Sequence, residues 1–218
     1  MGIRIWPSSA TCSSCSTCSA SSDRHSRLPE PWRLFVAAPL PDVTAGAVWD
    51  WLAPLRVDHP RTRWMRADVL HLTLLFMGQV DSGRVPAISE GLADLAAHHA
   101  TFATRTAGAG GHVDDRPGAR HGGVAWLTLG AGLLEMTNLA LDVDEVLGAR
   151  IFTAARPPRP HLTVARDIYT PALDALRQRA GGAELEWTTS SVILFRSHLG
   201  PGGSRYEPLS THSLSGAG

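Results

Sequence analysis

Lysine is missing from this chain of 218 residues, and all 20 of its basic side chains are arginine. Without a side-chain primary amine there is no Schiff-base chemistry, no pyridoxal phosphate anchor, no Walker A phosphate loop and no adenylated-lysine ligase. Cysteine is scarce too, confined to Cys12, Cys15 and Cys18. Their Cys-x2-Cys-x2-Cys spacing lacks a fourth ligand, and an odd count in a serine-rich tract builds no disulfide framework. The rest of the chain has no thiol, which suits a reducing cytoplasm. Long apolar runs are absent as well: none approaches the roughly 20 residues of a membrane helix. Residues 1–30 also lack the apolar run of about 7 to 15 residues that marks a secretory signal. Charge of one sign is not in excess, with 20 basic and 20 acidic residues. No global field therefore gathers nucleic acid or a membrane, and a partner bearing phosphates has to be held by a local site.

What remains reads as a globular protein. Hydrophobic residues make up 44% and charged residues 18% of the chain, and the length suits about one to one and a half average domains. The small polar side chains of the cysteine tract cannot pack a core, so residues 1–31 are expected to be a disordered extension. The folded domain is expected over 32–214, with 215–218 as a tail. Arg33 to Ala38 reads as a buried strand ended by prolines, and Asp42 as the cap of a helix running through Leu55. Short strands are expected near Trp64 and from His71 to Met77, the latter stopped by Gly78. Helices are expected over 83–99, 132–149 and 171–180, and strands over 101–107, 124–129 and 161–165. Residues 108–123 read as a long loop. Glu184 to Arg196 and Arg205 to Leu214 read as two strands of a hairpin. The class is α+β, with antiparallel or mixed sheets and outer helices. A weak internal repeat, one His-Leu-Thr strand per half, predicts two pseudo-symmetric lobes facing a central cleft.

That tripeptide carries the chemistry. His71-Leu72-Thr73 and His161-Leu162-Thr163 each open an apolar run. On a strand, residues i and i+2 share a face, so each motif aims an imidazole and a hydroxyl one way and its leucine into the core. Two histidines and two threonines then converge on the cleft. A metal site wants more ligands than these motifs bring, and His112, Asp114, Asp115 and His121 read as solvated loop residues. A nucleophilic triad lacks its Gly-x-Ser-x-Gly elbow. Paired acid–base chemistry fits: with ordinary pKa values near about 6.5, one imidazole can be neutral while the other is charged. The neutral one takes a proton from water and the charged one gives a proton to a leaving oxygen. Such a pair suits in-line attack at phosphorus, with the threonine hydroxyls holding the phosphate oxygens.

Arg33-Leu-Phe-Val-Ala-Ala-Pro-Leu-Pro41, His71-Leu-Thr-Leu-Leu-Phe-Met-Gly78, His161-Leu-Thr-Val-Ala-Arg166 and Phe195-Arg-Ser-His-Leu-Gly-Pro-Gly-Gly-Ser-Arg-Tyr206 together resemble the 2H phosphoesterases. The similarity is to the branch of RNA 2′,3′-cyclic phosphodiesterases, once called 2′-5′ RNA ligases, and it runs over about residues 33–214. It implies a bilobal α+β fold and hydrolysis of a terminal 2′,3′-cyclic phosphate to a 2′-phosphomonoester, with no cofactor and no metal. By that resemblance His71 matches the proton donor and His161 the proton acceptor, while Thr73 and Thr163 hold the phosphate. Arg166 matches an arginine contacting phosphate or base, and Phe76 an aromatic beside the nucleobase. Both lie five residues after their histidine, which an ideal strand puts on the opposite face. A bulge or a strand end is therefore required.

Ligation in such a family runs as the reverse reaction, without ATP. The expected partner is RNA ending in a 2′,3′-cyclic phosphate, with no membrane, and the expected state is a cytoplasmic monomer. Arginines upstream of both motifs (Arg61, Arg63 and Arg66, then Arg150, Arg156 and Arg159) can make the cleft rim positive. Trp49, Trp51, Trp64 and Trp126 read as core. Two other readings stay open: a relative acting on a small cyclic nucleotide or a 2′-5′ oligonucleotide, and an RNA-end binding module without catalysis.

Overall fold

The structure, a computed structural model, describes residues 30–114, 122–151, 159–181, 184–200 and 203–216, but not the side chains of 149–151. The expected extension, with its three cysteines, lies outside the described residues up to position 29, as do Asp115, His121 and Arg156. The elements are β1 (Pro31–Pro39), α1 (Asp42–Trp51), α2 (Ala53–Asp58), β2 (Arg63–Trp64), β3 (His71–Asp81) and α3 (Val85–His98). They continue with β4 (Phe102–His112), β5 (Gly123–Leu129), α4 (Leu133–Ile151), β6 (Leu162–Ile168) and α5 (Thr170–Ala180). The last are β7 (Glu186–Thr189), β8 (Ser191–Gly200) and β9 (Gly203–Ser213).

One nine-stranded sheet runs in the order β7-β4-β5-β6-β3-β1-β8-β9, with β2 on the edge of β6. Every pairing is antiparallel. Helices cover one face. Leu34, Val36 and Ala38 of β1 join Leu72, Leu127, Leu162 and Leu194 in the hydrophobic core with Leu92 of α3, Leu139 of α4 and Leu176 of α5. The alternate residues of the same strands face away from the helices, as the period of two demands. Phe35 is 2% exposed yet belongs to no part of that core. It is buried on the cleft side.

The structure corrects several sequence expectations. Asp42 sits inside the first turn of α1, after Pro41, and caps nothing; the helix expected through Leu55 breaks at Leu52, where Pro54 opens α2. Gly78 does not end β3, which continues to Asp81 through a positive φ of 68° at that glycine. Residues 108–112 are strand, because β5 supplies partners from Thr128 to Val124. The single strand expected over Glu184–Arg196 is two strands: β7 pairs with β4, and β8 pairs with β1 on the other side of the molecule. Only Ser190 separates them, so the sheet curls until its two ends approach. The lobes are consequently not the two halves of the sequence. β8 and β9, last in the chain, complete the lobe of β1 and β3.

The lobes meet where β3 and β6 overlap, at the single registered pair Leu72↔Leu162. Beyond it the edge of β6 is taken by β2, through Arg63↔Arg166 and Trp64↔Ala165. Each cleft strand also carries the required bulge. In β3, Val36 pairs with Leu75 and Ala37 with Thr73, so Leu74 is the extra residue. In β6, Ala125 pairs with Ala165 and Trp126 with Thr163, so Val164 is extra. Leu74 and Leu75 are both buried, as are Val164 and Ala165. Two consecutive inward residues reset the alternation, and position i+5 returns to the face of position i.

Candidate active site

The register at the seam builds the constellation. With Leu72 opposite Leu162 in an antiparallel pair, His71 lies level with Thr163 and Thr73 with His161. Residues directly opposite share a face, so all four polar side chains project into the cleft between the lobes. The structure thus brings together the four residues that the two tripeptides single out.

The imidazoles are fixed in the same way. Nδ1 of His71 donates to the Val69 carbonyl at 2.8 Å, and Nδ1 of His161 donates to the Arg159 carbonyl at 2.6 Å. A carbonyl only accepts, so Nδ1 carries the proton and Nε2 is the titrating nitrogen facing the cleft. Nε2 of His71 lies 3.2 Å from the Thr73 hydroxyl, which donates to it when the ring is neutral. This tautomer suits both directions of proton transfer: neutral Nε2 accepts, and protonated Nε2–H donates.

The surroundings differ. The His71 ring is walled by Phe35 at 5.1 Å, Tyr206 at 5.2 Å and Phe195 at 6.3 Å between ring centroids. Burial among them lowers its pKa from the ordinary histidine value, and the positive charges of Arg166 and His161 lower it further, against the hydrogen bond to Val69. Among the described residues, His161 has one aromatic neighbour, Trp126, at 5.3 Å.

Phe76 and Arg166 both reach the cleft. Phe76 is 48% exposed, stacked near Phe35 at 6.3 Å and covered by the Arg33 guanidinium at 4.5 Å. It is not a core residue. Phe76 and Arg166 line one cavity of about 250 Å³ together with His71, Thr73, Arg33, Arg63 and Tyr206. Among the described residues, no carboxylate lines it. Arg63 is tied to Asp167 at 2.9 Å, whereas Nε of Arg33 is buried with no hydrogen-bond partner among the described residues. A second cavity, about 520 Å³, shares Arg63, Arg166, Ser204 and Tyr206 and continues past Arg66 and Arg205. The two form a basic trench leading away from His71. Of the rim arginines expected from sequence, Arg63 and Arg66 line it, and Arg159 lends its carbonyl to His161. Arg150 lies among the residues whose side chains are undescribed.

Sequence reasoning missed Arg33, Trp126 and Tyr206. Arg33 shares the phase of Phe35 on β1, two residues away, and Tyr206 enters only through the curl of the β8–β9 hairpin. Trp126 was assigned to the core, but it lies in the phase of Val124 and Thr128, on the cleft face opposite Thr163. Five of the other described histidines are engaged elsewhere: His59 with Tyr169, His98 with the Asp94 carbonyl, His99 with Asp142, His198 with Glu207 and His212 with Ser210. Among the described residues, no group of three or more His, Cys, Asp or Glu is placed to hold a metal. Nor is any described helix long and apolar enough to cross a membrane.

Known proteins are similar to this chain in sequence and in fold. The RNA 2′,3′-cyclic phosphodiesterase of Escherichia coli (strain K12) is 29% identical over 191 residues, covering 85% of this chain and 98% of that protein. That of Thermus thermophilus is 32% identical over 196 residues, covering 84% and 91%. Among solved structures, E. coli LigT in its apo form superposes with a TM-score of 0.66 at 28% identity, over 85% of this chain and 99% of that one. The family model of the 2′-5′ RNA ligase superfamily matches residues 44–201. With the paired His-Leu-Thr strands at the seam of one curled sheet, the chain belongs to the 2′-5′ RNA ligase superfamily.

Proposed function

We propose that this protein hydrolyses the 2′,3′-cyclic phosphate at RNA ends to a 2′-phosphomonoester, using His71 and His161 as an acid–base pair without a metal. The names of its relatives support the reaction. The mechanism is supported by one observation: both imidazoles are held through Nδ1 to a backbone carbonyl, which leaves Nε2 for proton transfer, and they flank the Leu72↔Leu162 pair, one on each strand. Nε2 of His161 takes a proton from the attacking water as the new O–P bond forms. Nε2–H of His71 gives its proton to the departing 3′ oxygen as the P–O3′ bond breaks. The Thr73 and Thr163 hydroxyls, with Arg166, hold the non-bridging oxygens, whose charge grows in the transition state.

The lowered pKa of His71 bears on this assignment. In the empty cleft, burial favours the neutral ring. An anionic phosphodiester offsets that loss and draws the proton on, because an opposite charge nearby favours the charged form. Both histidines come from one chain, so the unit of function is the monomer, and a thiol-poor enzyme acting on RNA suits the cytoplasm. Ligation would be the same chemistry with a 5′-hydroxyl in place of water.

The test is incubation of the purified protein, in EDTA, with a short RNA ending in 2′,3′-cyclic phosphate. Conversion to a phosphatase-sensitive 2′-phosphate by the wild type, and not by His71→Ala, is expected. Activity lost to the chelator, or undiminished in His71→Ala, would remove the two-histidine mechanism. Binding without turnover would instead make the protein an RNA-end binding module.

A further inference from the structure

The side of the cleft that flanks His161 carries a feature hydrolysis by water does not need. Trp126 stands on β5 with its ring centroid 5.3 Å from that of His161 and 6.2 Å from that of His112. It is opposite Thr163 on one neighbouring strand and opposite Gly110 on the other. A Cβ at Gly110 would fall 2.6 Å from Nε1 and 2.8 Å from Cε2 of the indole. The ring therefore lies across β4 rather than rising from the sheet, and it can do so only because position 110 has no side chain. The neighbouring cleft-facing positions along β4 are His112 on one side and Gly108 on the other, so the sheet beside the ring is bare toward Gly108. The indole is partly exposed and sits outside the hydrophobic core. The residue stands on the cleft face of β5, level with Thr163.

The opposite flank already has an aromatic surface in Phe76 and Phe35, beside His71. In an in-line displacement the departing and attacking oxygens lie on opposite sides of phosphorus. The nucleoside that owns the cyclic phosphate thus belongs to the His71 flank, and whatever supplies the attacking oxygen belongs to the His161 flank. We infer that Trp126, laid flat by Gly110, is the seat of a second nucleobase, that of the nucleoside whose 5′-oxygen takes the place of water. The inference rests on the roles proposed above for the two histidines. The bond economy closes without a co-reactant: the 5′-hydroxyl loses its proton to His161, the O5′–P bond forms, the P–O3′ bond breaks, and O3′ takes the proton of His71. In the other direction the same seat holds the departing nucleoside of a 2′-5′ linkage.

Binding of two non-cleavable diesters tests this without requiring turnover. The probes are 3′-deoxyadenylyl-(2′→5′)-adenosine and the methyl ester of 3′-deoxyadenosine 2′-phosphate. Both lack the 3′-hydroxyl that cyclisation needs, carry one negative charge and differ only in the second nucleoside. Calorimetric titration of the wild type should show the dinucleotide bound about tenfold or more tightly, the range that one base–aromatic stack provides. That ratio should fall to near one in Trp126→Ala, be largely kept in Trp126→Phe, and fall again in Gly110→Ala, whose methyl lifts the indole. A wild type that binds the two diesters equally, or a ratio that survives Trp126→Ala, overturns the seat. Because the readout is a ratio within each variant, a partly unfolded fraction cancels. Failure of cyclic phosphate hydrolysis would strike the proposed function and leave this ratio to stand or fall alone.

Discussion

The two His-Leu-Thr strands are built alike and housed differently. Each imidazole is anchored through Nδ1 to the carbonyl two residues before it, and each strand carries its extra residue at the third position after the histidine. Yet among the described residues His71 is enclosed by Phe35, Phe195 and Tyr206, while His161 meets Trp126 alone. At the fifth position the first strand puts an aromatic ring, Phe76, and the second a cation, Arg166. The backbone sets where the nitrogens point. The second layer, supplied by strands far off in sequence, sets how readily they hold a proton. A duplicated motif thus makes two different tools.

The largest effects should come from what the strands have in common. His71→Ala and His161→Ala should each lower kcat by about 10²- to 10⁴-fold, the range for loss of a positioned acid or base. EDTA should leave the wild type unchanged. If one of the two variants kept near-normal turnover, the pair would not work as acid and base. Next in size are the hydroxyls: Thr73→Ala and Thr163→Ala should each cost about 10²-fold in kcat, as loss of a transition-state donor does. A rise in KM with kcat intact would mean that they bind the ground state only.

The differences between the strands should appear in pH and in KM. The kcat/KM profile should be bell-shaped, with one limb displaced below about 6.5, because burial and then the charges of Arg166 and His161 lower the pKa of His71. Removing a positive neighbour favours the protonated ring, so Arg166→Gln should raise the His71 pKa, read by NMR of the imidazole Cε1–H. Arg66→Gln, whose guanidinium is held by exposed Asp68 at 3.0 Å, should leave it where it is. Equal shifts in both variants would mean that the general positive charge of the trench, not Arg166, tunes His71. Phe76→Ala should raise KM about tenfold with little change in kcat, since a stacked base is bound equally in ground and transition states.

The shared part of this comparison was legible in the sequence because it is local. Period-two geometry alone puts His71 with Thr73 and His161 with Thr163, and the parity of five residues demanded a bulge before any coordinates showed Leu74 and Val164 doubling back. The second layer was harder to read. Arg33 and Phe35 were absorbed into a run read as buried throughout, although their alternation with Leu34 and Val36 separates cleft from core. Trp126 stood in the polar phase of its strand, a usable signal outweighed by the habit of burying tryptophan. Tyr206 meets His71 only because a curled sheet carries the β8–β9 hairpin over the cleft, which no local pattern encodes. The split between β7 and β8 was written in the polar run Thr188-Thr189-Ser190-Ser191, but a long strand reads the same way when the sheet is imagined flat.

The smallest effect concerns the backbone that both strands need. Each has a second irregularity farther along, and each passes there through a positive φ: 68° at Gly78 in β3 and 54° at Asp167 in β6. The first is a glycine, for which that region is unstrained. The second is an aspartate, a residue type better tolerated there than most, whose carboxylate is tied to Nε of Arg63 at 2.9 Å. Gly78→Ala meets no neighbour within 4 Å, so its cost is conformational alone. It should destabilise the protein by about 1–2 kcal/mol, a fall in Tm of a few degrees for a chain of this size. Asp167→Gly should change stability by less than about 1 kcal/mol, because relief of the left-handed strain is offset by the greater freedom of an unfolded glycine and the loss of an exposed ion pair. The two variants measured together by thermal melting separate strain from packing. A large loss in Asp167→Gly, with Gly78→Ala silent, would show that the Arg63 tie, and not the backbone turn, holds β6 against β2 at the edge of the cleft.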